Sequence, residues 1–161
     1  MHILIISQNY YPEPVNIWSE LPESLRDKGH EVTVLTGFPN WPSGKLYPGY
    51  RIKLRQKEII GGVAVIRVPL YPYHGRSPLK RVFNYISFML ASLVLGAWGM
   101  RRPDVIFVVQ PPTTCLPAWV FSRIWRIPFA YDLQDMWPET LYSTGMMNNV
   151  KMLKVVTKYC N

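Results

Sequence analysis

Ile3-Leu4-Ile5-Ile6-Ser7 and Glu31-Val32-Thr33-Val34-Leu35-Thr36 are two short runs rich in β-branched and aliphatic residues, and the stretch joining them decides the fold. A continuous apolar run of this length is the pattern of a strand buried on both faces. After a proline-punctuated loop, residues 16–28 read as a helix with Trp18, Leu21 and Leu25 on one face. Pro22 costs that helix a hydrogen bond without abolishing its pattern. Gly29 supplies the left-handed stop. Strand, helix and strand make one βαβ unit, with parallel strands and a right-handed crossover.

Outward from this unit the alternation continues. Residues 37–50 form a long loop holding three prolines and the aromatics Phe38, Trp41 and Tyr47. Residues 51–60 and 63–68 flank Gly61-Gly62, a two-residue hairpin signal that adds edge strands or a projecting ribbon. A loop over 69–78 leads to a long helix over 79–100, then to a strand over 105–110. Pro111-Pro112 breaks that strand, a helix over 114–126 follows despite Pro117, and Phe129-Ala130-Tyr131-Asp132 is a last strand. Residues 150–159 read as a basic amphipathic helix. Strands separated by helices predict an α/β chain: a Rossmann-like, doubly wound, mostly parallel sheet with helices on both faces.

The chain of 161 residues is the size of one domain, and 48% apolar against 17% charged residues excludes a disordered segment. Cys115 and Cys160 have no paired spacing and read as reduced thiols of a cytosolic protein. Residues 1–7 are too short for a secretory leader. No GxGxxG follows the first strand, and no GxxxxGK[ST] loop or nucleophile elbow is present. His2, His30 and His74 are scattered without metal-ligand spacing, so no metal site and no cofactor are expected.

Charge is unevenly spread within a formal total of +8. Residues 45–81 hold nine Lys or Arg against one acid, Glu58, while acids gather at 13–31 and 132–139. This asymmetry points to an anionic partner: a phospholipid surface, a pyrophosphate or a nucleic acid. A nucleic-acid-binding domain is the weaker reading, because the basic residues are not interleaved with aromatics on one predicted sheet face. Residues 82–100 carry no charge and are bracketed by Lys80, Arg81, Arg101 and Arg102. At ~1.5 Å per residue such a helix is long enough to span a bilayer. Asn84, Ser87, Ser92, Gly96 and Gly99 within it, and its place between two strands of one sheet, favour a helix packed on the sheet or dipping into the membrane interface.

In an open parallel sheet, ligands collect outside the carboxyl ends of the strands. Four loops should meet there. Their candidate binding residues are Gln8, Tyr11 and Asn16; Phe38, Asn40 and Trp41; Gln110 and Thr113; and Gln134, Trp137 and Glu139. Aromatic faces beside amides suit stacking on a sugar ring and hydrogen bonding to its hydroxyls. Prolines and tryptophans in such loops also serve to fix turns. Asp135 is the candidate for chemistry, placed to orient an acceptor hydroxyl or take its proton; the competing role is a cap on the next turn. Glu139, after Trp137-Pro138, reads as a helix-start residue and not as a catalyst.

Several segments in order resemble the family 4 glycosyltransferases that build bacterial surface polysaccharides. They are residues 2–8 with Tyr11-Pro12-Glu13-Pro14; Gly29 through Asn40; Tyr47-Pro48-Gly49-Tyr50; Val65 through Pro69; and Asp132-Leu133-Gln134-Asp135-Met136-Trp137-Pro138-Glu139. The set is most similar to the subgroup acting on O-antigen, capsule or colanic-acid intermediates. The resemblance implies a GT-B enzyme of two Rossmann-like domains, of which residues 1–161 are the N-terminal, acceptor-binding one. It implies a C-terminal domain, beyond this chain, that binds the nucleotide-sugar donor through an EX7E glutamate pair. Transfer with retention and without a required metal, onto a lipid-linked saccharide acceptor, is implied too. Lys80, Arg81, Arg101 and Arg102 would then dock the protein, peripherally, on the cytoplasmic face of the plasma membrane. This half by itself is expected not to transfer sugar; a scaffold or regulatory subunit of the same fold is the alternative. Two departures are visible: Pro14-Val15-Asn16-Ile17 replaces a common Gly-Gly pair in the first loop, and Gln134 stands where relatives often have histidine.

Overall fold

Apolar runs flanked by turn residues become six strands of one sheet in the computed structural model, which describes residues 1–14, 16–109 and 111–132. In chain order the elements are β1 (His2–Ile6), α1 (Asn16–Asp27), β2 (Glu31–Gly37), β3 (Gln56–Ile60), β4 (Val63–Val68), α2 (Pro78–Ala91) continued by a π-helical turn (Ser92–Gly96), β5 (Val105–Val108), α3 (Cys115–Trp125) and β6 (Phe129–Tyr131). The strand order is β3-β4-β2-β1-β5-β6, parallel except for β3.

Side-chain alternation along each strand divides the core in two. Leu4, Ile6, Leu35, Ile66, Val68, Ile106 and Val108 face one way and pack with Phe88 of α2 and Ala118 and Phe121 of α3. Ile3, Ile5, Val32, Val34, Val63 and Val65 face the other way, with Leu25 of α1 against them. The winding explains this split. The step from β1 to β2 goes to one side, whereas β4 to β5 and β5 to β6 go to the other. Right-handed crossovers in opposite directions put their helices on opposite faces. Fully burying an aliphatic or aromatic side chain contributes ~1.5–3 kcal/mol, so the completely enclosed Leu4, Ile6, Leu35 and Phe88 are the principal anchors.

Local signals explain the turns. Gly29 ends α1 with φ 83°, and Gly61 and Gly62 turn the β3–β4 hairpin with φ 51° and 75°, the double left-handed geometry of a type I′ turn. Pro22 lies inside α1.

Several boundaries differ from expectation. Residues 51–55 are not strand, and β3 begins at Gln56. It forms the sheet edge and not a projecting ribbon. β5 ends at Val108, before the predicted end at 110. The helix expected over 114–126 runs from Cys115 to Trp125 after a 3-10 turn. The helix expected to reach 100 begins at Pro78, as Ser-Pro helix starts do, and stops at Gly96. There the chain must approach the sheet closely: a Cβ on Gly96 would lie 2.6 Å from Leu35 Cδ2. Among the described residues one helix, Pro78–Gly96, is long and apolar enough to cross a membrane. Its partners in the fold, β4 and β5, belong to one sheet, and its Phe88 is fully enclosed on that sheet.

Candidate functional site at the strand tips

β1, β2, β4 and β5 all end on one side of the molecule, and the winding reverses between β1 and β5. That reversal opens a crevice, the switch point where ligands of such sheets bind. Three polar devices fix the loops around it.

Glu13 is the first. It is 4% exposed, and its Oε1 accepts the backbone N–H of Asn40 at 2.6 Å and of Trp41 at 2.7 Å, while Oε2 accepts that of Tyr10 at 3.0 Å. Burial raises its carboxyl above the ordinary 4.5, and the three amides and Arg67 pull it back in part. The loop after β1 is thereby fastened to the loop after β2.

Arg67 is the second. It lies in β4 and has no exposed surface. Its guanidinium donates to Glu58, to the Gly37 carbonyl at 3.0 Å and to the Tyr11 carbonyl, and lies 4.9 Å from the Tyr50 ring centre. A planar fork with five donors suits this set of acceptors in a way that lysine does not.

Gln8 and Asn84 are the third. Gln8 Nε2 donates to Asn84 Oδ1, and Asn84 Nδ2 donates to the Tyr71 carbonyl at 2.6 Å. The tip of β1 is thus tied to α2. The Gln8 carbonyl also accepts from the Gly37 N–H and the Thr36 hydroxyl, each at 3.1 Å.

Around these clasps several buried polar atoms have no hydrogen-bond partner among the described residues: Gln8 Oε1, Asn9 Oδ1, Asn40 Oδ1, Thr113 Oγ1 and His74 Nε2. Each follows the carboxyl end of a parallel strand. An unpaired buried polar atom costs ~1–3 kcal/mol, so these five atoms leave hydrogen-bonding capacity open at the strand tips. Burial and the nearby Arg81 hold the His74 imidazole below its ordinary value of 6.5.

Several candidates take up roles other than the expected ones. Phe38 is fully enclosed and has no ring face open to a ligand. Asn40 is equally buried, bonded to the Phe38 carbonyl at 3.0 Å, and meets the crevice through its free carbonyl oxygen at most. Tyr11 is exposed, and Trp41 is half-buried. Asn16 opens α1. Gln110, Gln134, Asp135, Trp137 and Glu139, like the helix read over 150–159, lie outside the described residues. Of the basic set, Lys80 sits 5.4 Å from the Tyr73 ring centre, Arg81 donates to the Gly75 carbonyl at 2.9 Å, and Arg101 pairs with Glu31 at 3.0 Å; Arg102 is exposed. His2 is structural, within 2.9 Å of the Thr33 hydroxyl.

Glu13, Arg67 and Asn84 were not among the residues singled out from sequence for the site. A charge inside Val63–Val68 and an amide inside an apolar helix were the available signals. Among the described residues no three His, Cys, Asp or Glu side chains come together as a metal cluster. A cavity of about 360 Å³ lined by His2, Glu31, Lys57 and Arg101 lies at the opposite, amino end of the strands.

The sheet order defines a Rossmann-like α/β domain whose switch point lies among polar loops at the strand tips. Residues 14–149 match the glycosyl transferase 4-like domain, and the chain belongs to that family. It is 31% identical over 163 aligned positions to the putative colanic acid biosynthesis glycosyl transferase WcaI of Escherichia coli (strain K12), covering 96% of this chain. The chain spans 39% of the length of that curated relative. The crystal structure of the C-terminal domain of the PF1911 hydrogenase from Pyrococcus furiosus superposes with a TM-score of 0.51 at 18% identity, over 82% of this chain and 90% of that one. A second crystal structure of the same domain gives 0.52 at 16%, over 81% and 90%. At these identities the likeness is one of fold.

Proposed function

We propose that this chain is the acceptor-side half of a retaining GT-B glycosyltransferase of surface polysaccharide synthesis. It takes a lipid-linked saccharide at the cytoplasmic face of the plasma membrane. A second domain presents the nucleotide-sugar, and the half described here does not transfer sugar without it. The observation that carries this reading is the set of oxygens of Gln8, Asn9, Asn40 and Thr113 at the strand tips that have no partner among the described residues, in a chain of this family. Carbonyl oxygens accept from sugar hydroxyls and the threonine hydroxyl can donate or accept, so the set fits a polyol. Asp135, beyond the described residues, is the group assigned to orient or deprotonate the acceptor hydroxyl.

The test is to join residues 1–161 to their donor half and to supply a panel of nucleotide-sugars with a polyprenyl-diphosphate saccharide. Transfer that keeps the anomeric configuration of the donor is expected, together with no transfer by residues 1–161 in isolation. Transfer with inversion, or no product from any donor while the isolated chain binds no saccharide, would sink it.

A further inference from the structure

Between Glu58 and Asp104 the chain contains six Lys or Arg and no Asp or Glu. Within that stretch α2 and its π-helical turn carry two stripes. Asn84, Phe88, Ser92 and Gly96, four apart, are buried on the sheet. Val82, Ile86, Leu90 and Val94 keep the same spacing two residues earlier, roughly 200° away around a helix, and all are exposed. Leu79, Phe83 (66% exposed) and Trp98 (73% exposed) extend this outer stripe from one end of the helix to beyond the other. Soluble monomers rarely expose so continuous an apolar surface.

Charge identifies what covers it. Arg76 and Lys80 stand at the strand-tip end of the stripe, and Arg101 and Arg102 follow its far end; α3, in the same layer, adds exposed Trp119 and Ile124 beside Arg123 and Arg126. We infer that this face seats on an anionic lipid bilayer, with the α2 axis in the membrane plane and the apolar stripe immersed at headgroup depth. The inference rests on the acceptor-side reading and names the surface that serves it. A second copy fits poorly, since pairing in either direction brings cationic ends together. Spanning is opposed by the inner stripe, which Asn84 pins to Gln8 and to the Tyr71 carbonyl. An apolar face with basic flanks is the pattern of an interfacial helix. Because α2 starts at the strand-tip end, this pose sets the crevice beside Gln8 and His74 against the bilayer edge, where a lipid-linked acceptor enters sideways.

The experiment is flotation of the full chain with vesicles of phosphatidylglycerol and phosphatidylcholine, and of phosphatidylcholine alone. Binding to the anionic vesicles is expected, weakening with salt. At least a tenfold loss is expected in Phe83→Ser/Val94→Ser, with an unchanged circular dichroism spectrum. Lipids brominated near the headgroup should quench Trp98, and Trp98→Phe should remove that increment while binding persists. Unchanged binding of the double variant would overturn the inference, as would no binding at any salt concentration. So would a dimer that the same variant dissolves. Transfer to a water-soluble acceptor, with the donor half attached, separates the two ideas. If transfer survives without vesicle binding, the docking surface is wrong and the function stands. If vesicle binding survives without any transfer, the reverse holds.

Discussion

The Glu13 carboxylate lies 2.6 Å from the backbone nitrogen of Asn40 and holds together two loops that leave neighbouring parallel strands. A carboxylate buried among backbone amides is a rigid joint, because each bond to a charged acceptor contributes ~1.5–3 kcal/mol and cannot be exchanged for water. The walls of the crevice are therefore set before any ligand arrives.

Replacing Glu13 tests that joint. In Glu13→Gln the side-chain amide faces a backbone N–H, leaving one donor unpaired at a cost of about 1–3 kcal/mol, read as a lower midpoint in urea unfolding. Its folded value is raised above 4.5. The folded state therefore holds this proton more tightly than the unfolded chain does. The contribution is complete below pH 4.5 and is lost as pH rises through the folded value. The variant should flatten that part of the stability profile.

Arg67 is the larger loss. Arg67→Ala leaves the Glu58 carboxylate and the Gly37 and Tyr11 carbonyls without their donor, and should cost roughly 3–5 kcal/mol. Arg67→Lys recovers part of it, since one ammonium cannot reach all three acceptors in the geometry of a guanidinium. Chemical denaturation of both variants decides the order.

Thr113 separates binding from stability. Its hydroxyl has no partner among the described residues, so the near-isosteric Thr113→Val removes the cost of an unpaired buried hydroxyl and should stabilise the fold by about 1 kcal/mol, a rise of ~2–4 °C in melting temperature. Losing one hydrogen bond to an acceptor hydroxyl, ~1 kcal/mol, should raise the acceptor KM about fivefold with kcat little changed. A fall in stability with no effect on KM would assign Thr113 to the fold instead.

His74 should make the domain acid-sensitive. Its imidazole is held below 6.5 by burial and by Arg81, so the unfolded chain takes up the proton first as pH falls. The stabilising contribution is complete above pH 6.5 and is lost as pH drops through the folded value. Thermal melts between pH 7.5 and 5 should fall less steeply in His74→Gln than in the parent.

The elements were legible because apolar periodicity is local. Ile3-Leu4-Ile5-Ile6 and Val32 through Leu35 announce strands enclosed on both faces, and Gly29 and the Gly61-Gly62 pair announce their turns. The π-helical ending of α2 was hidden, and so was the close approach of Gly96 to Leu35, because that neighbour comes from across the core. Likewise α3 ends on Arg126 in the left-handed conformation, at φ 53°, without the glycine that would have signalled it.

Residue order by itself determined that this chain builds parallel strands joined by helices, because hydrophobic spacing encodes which side of each element leaves water. The tertiary structure decided what the strand tips become. Gln8 meets Asn84, Arg67 meets Tyr11 and Glu13 meets Trp41, pairs that strand register and loop closure bring together across long sequence separations. The same closure buries Phe38 and Asn40 and leaves Phe83 and Val94 in solvent. Polarity patterns predict that a residue is buried or exposed on average; which polar groups satisfy one another depends on the packing of the whole sheet.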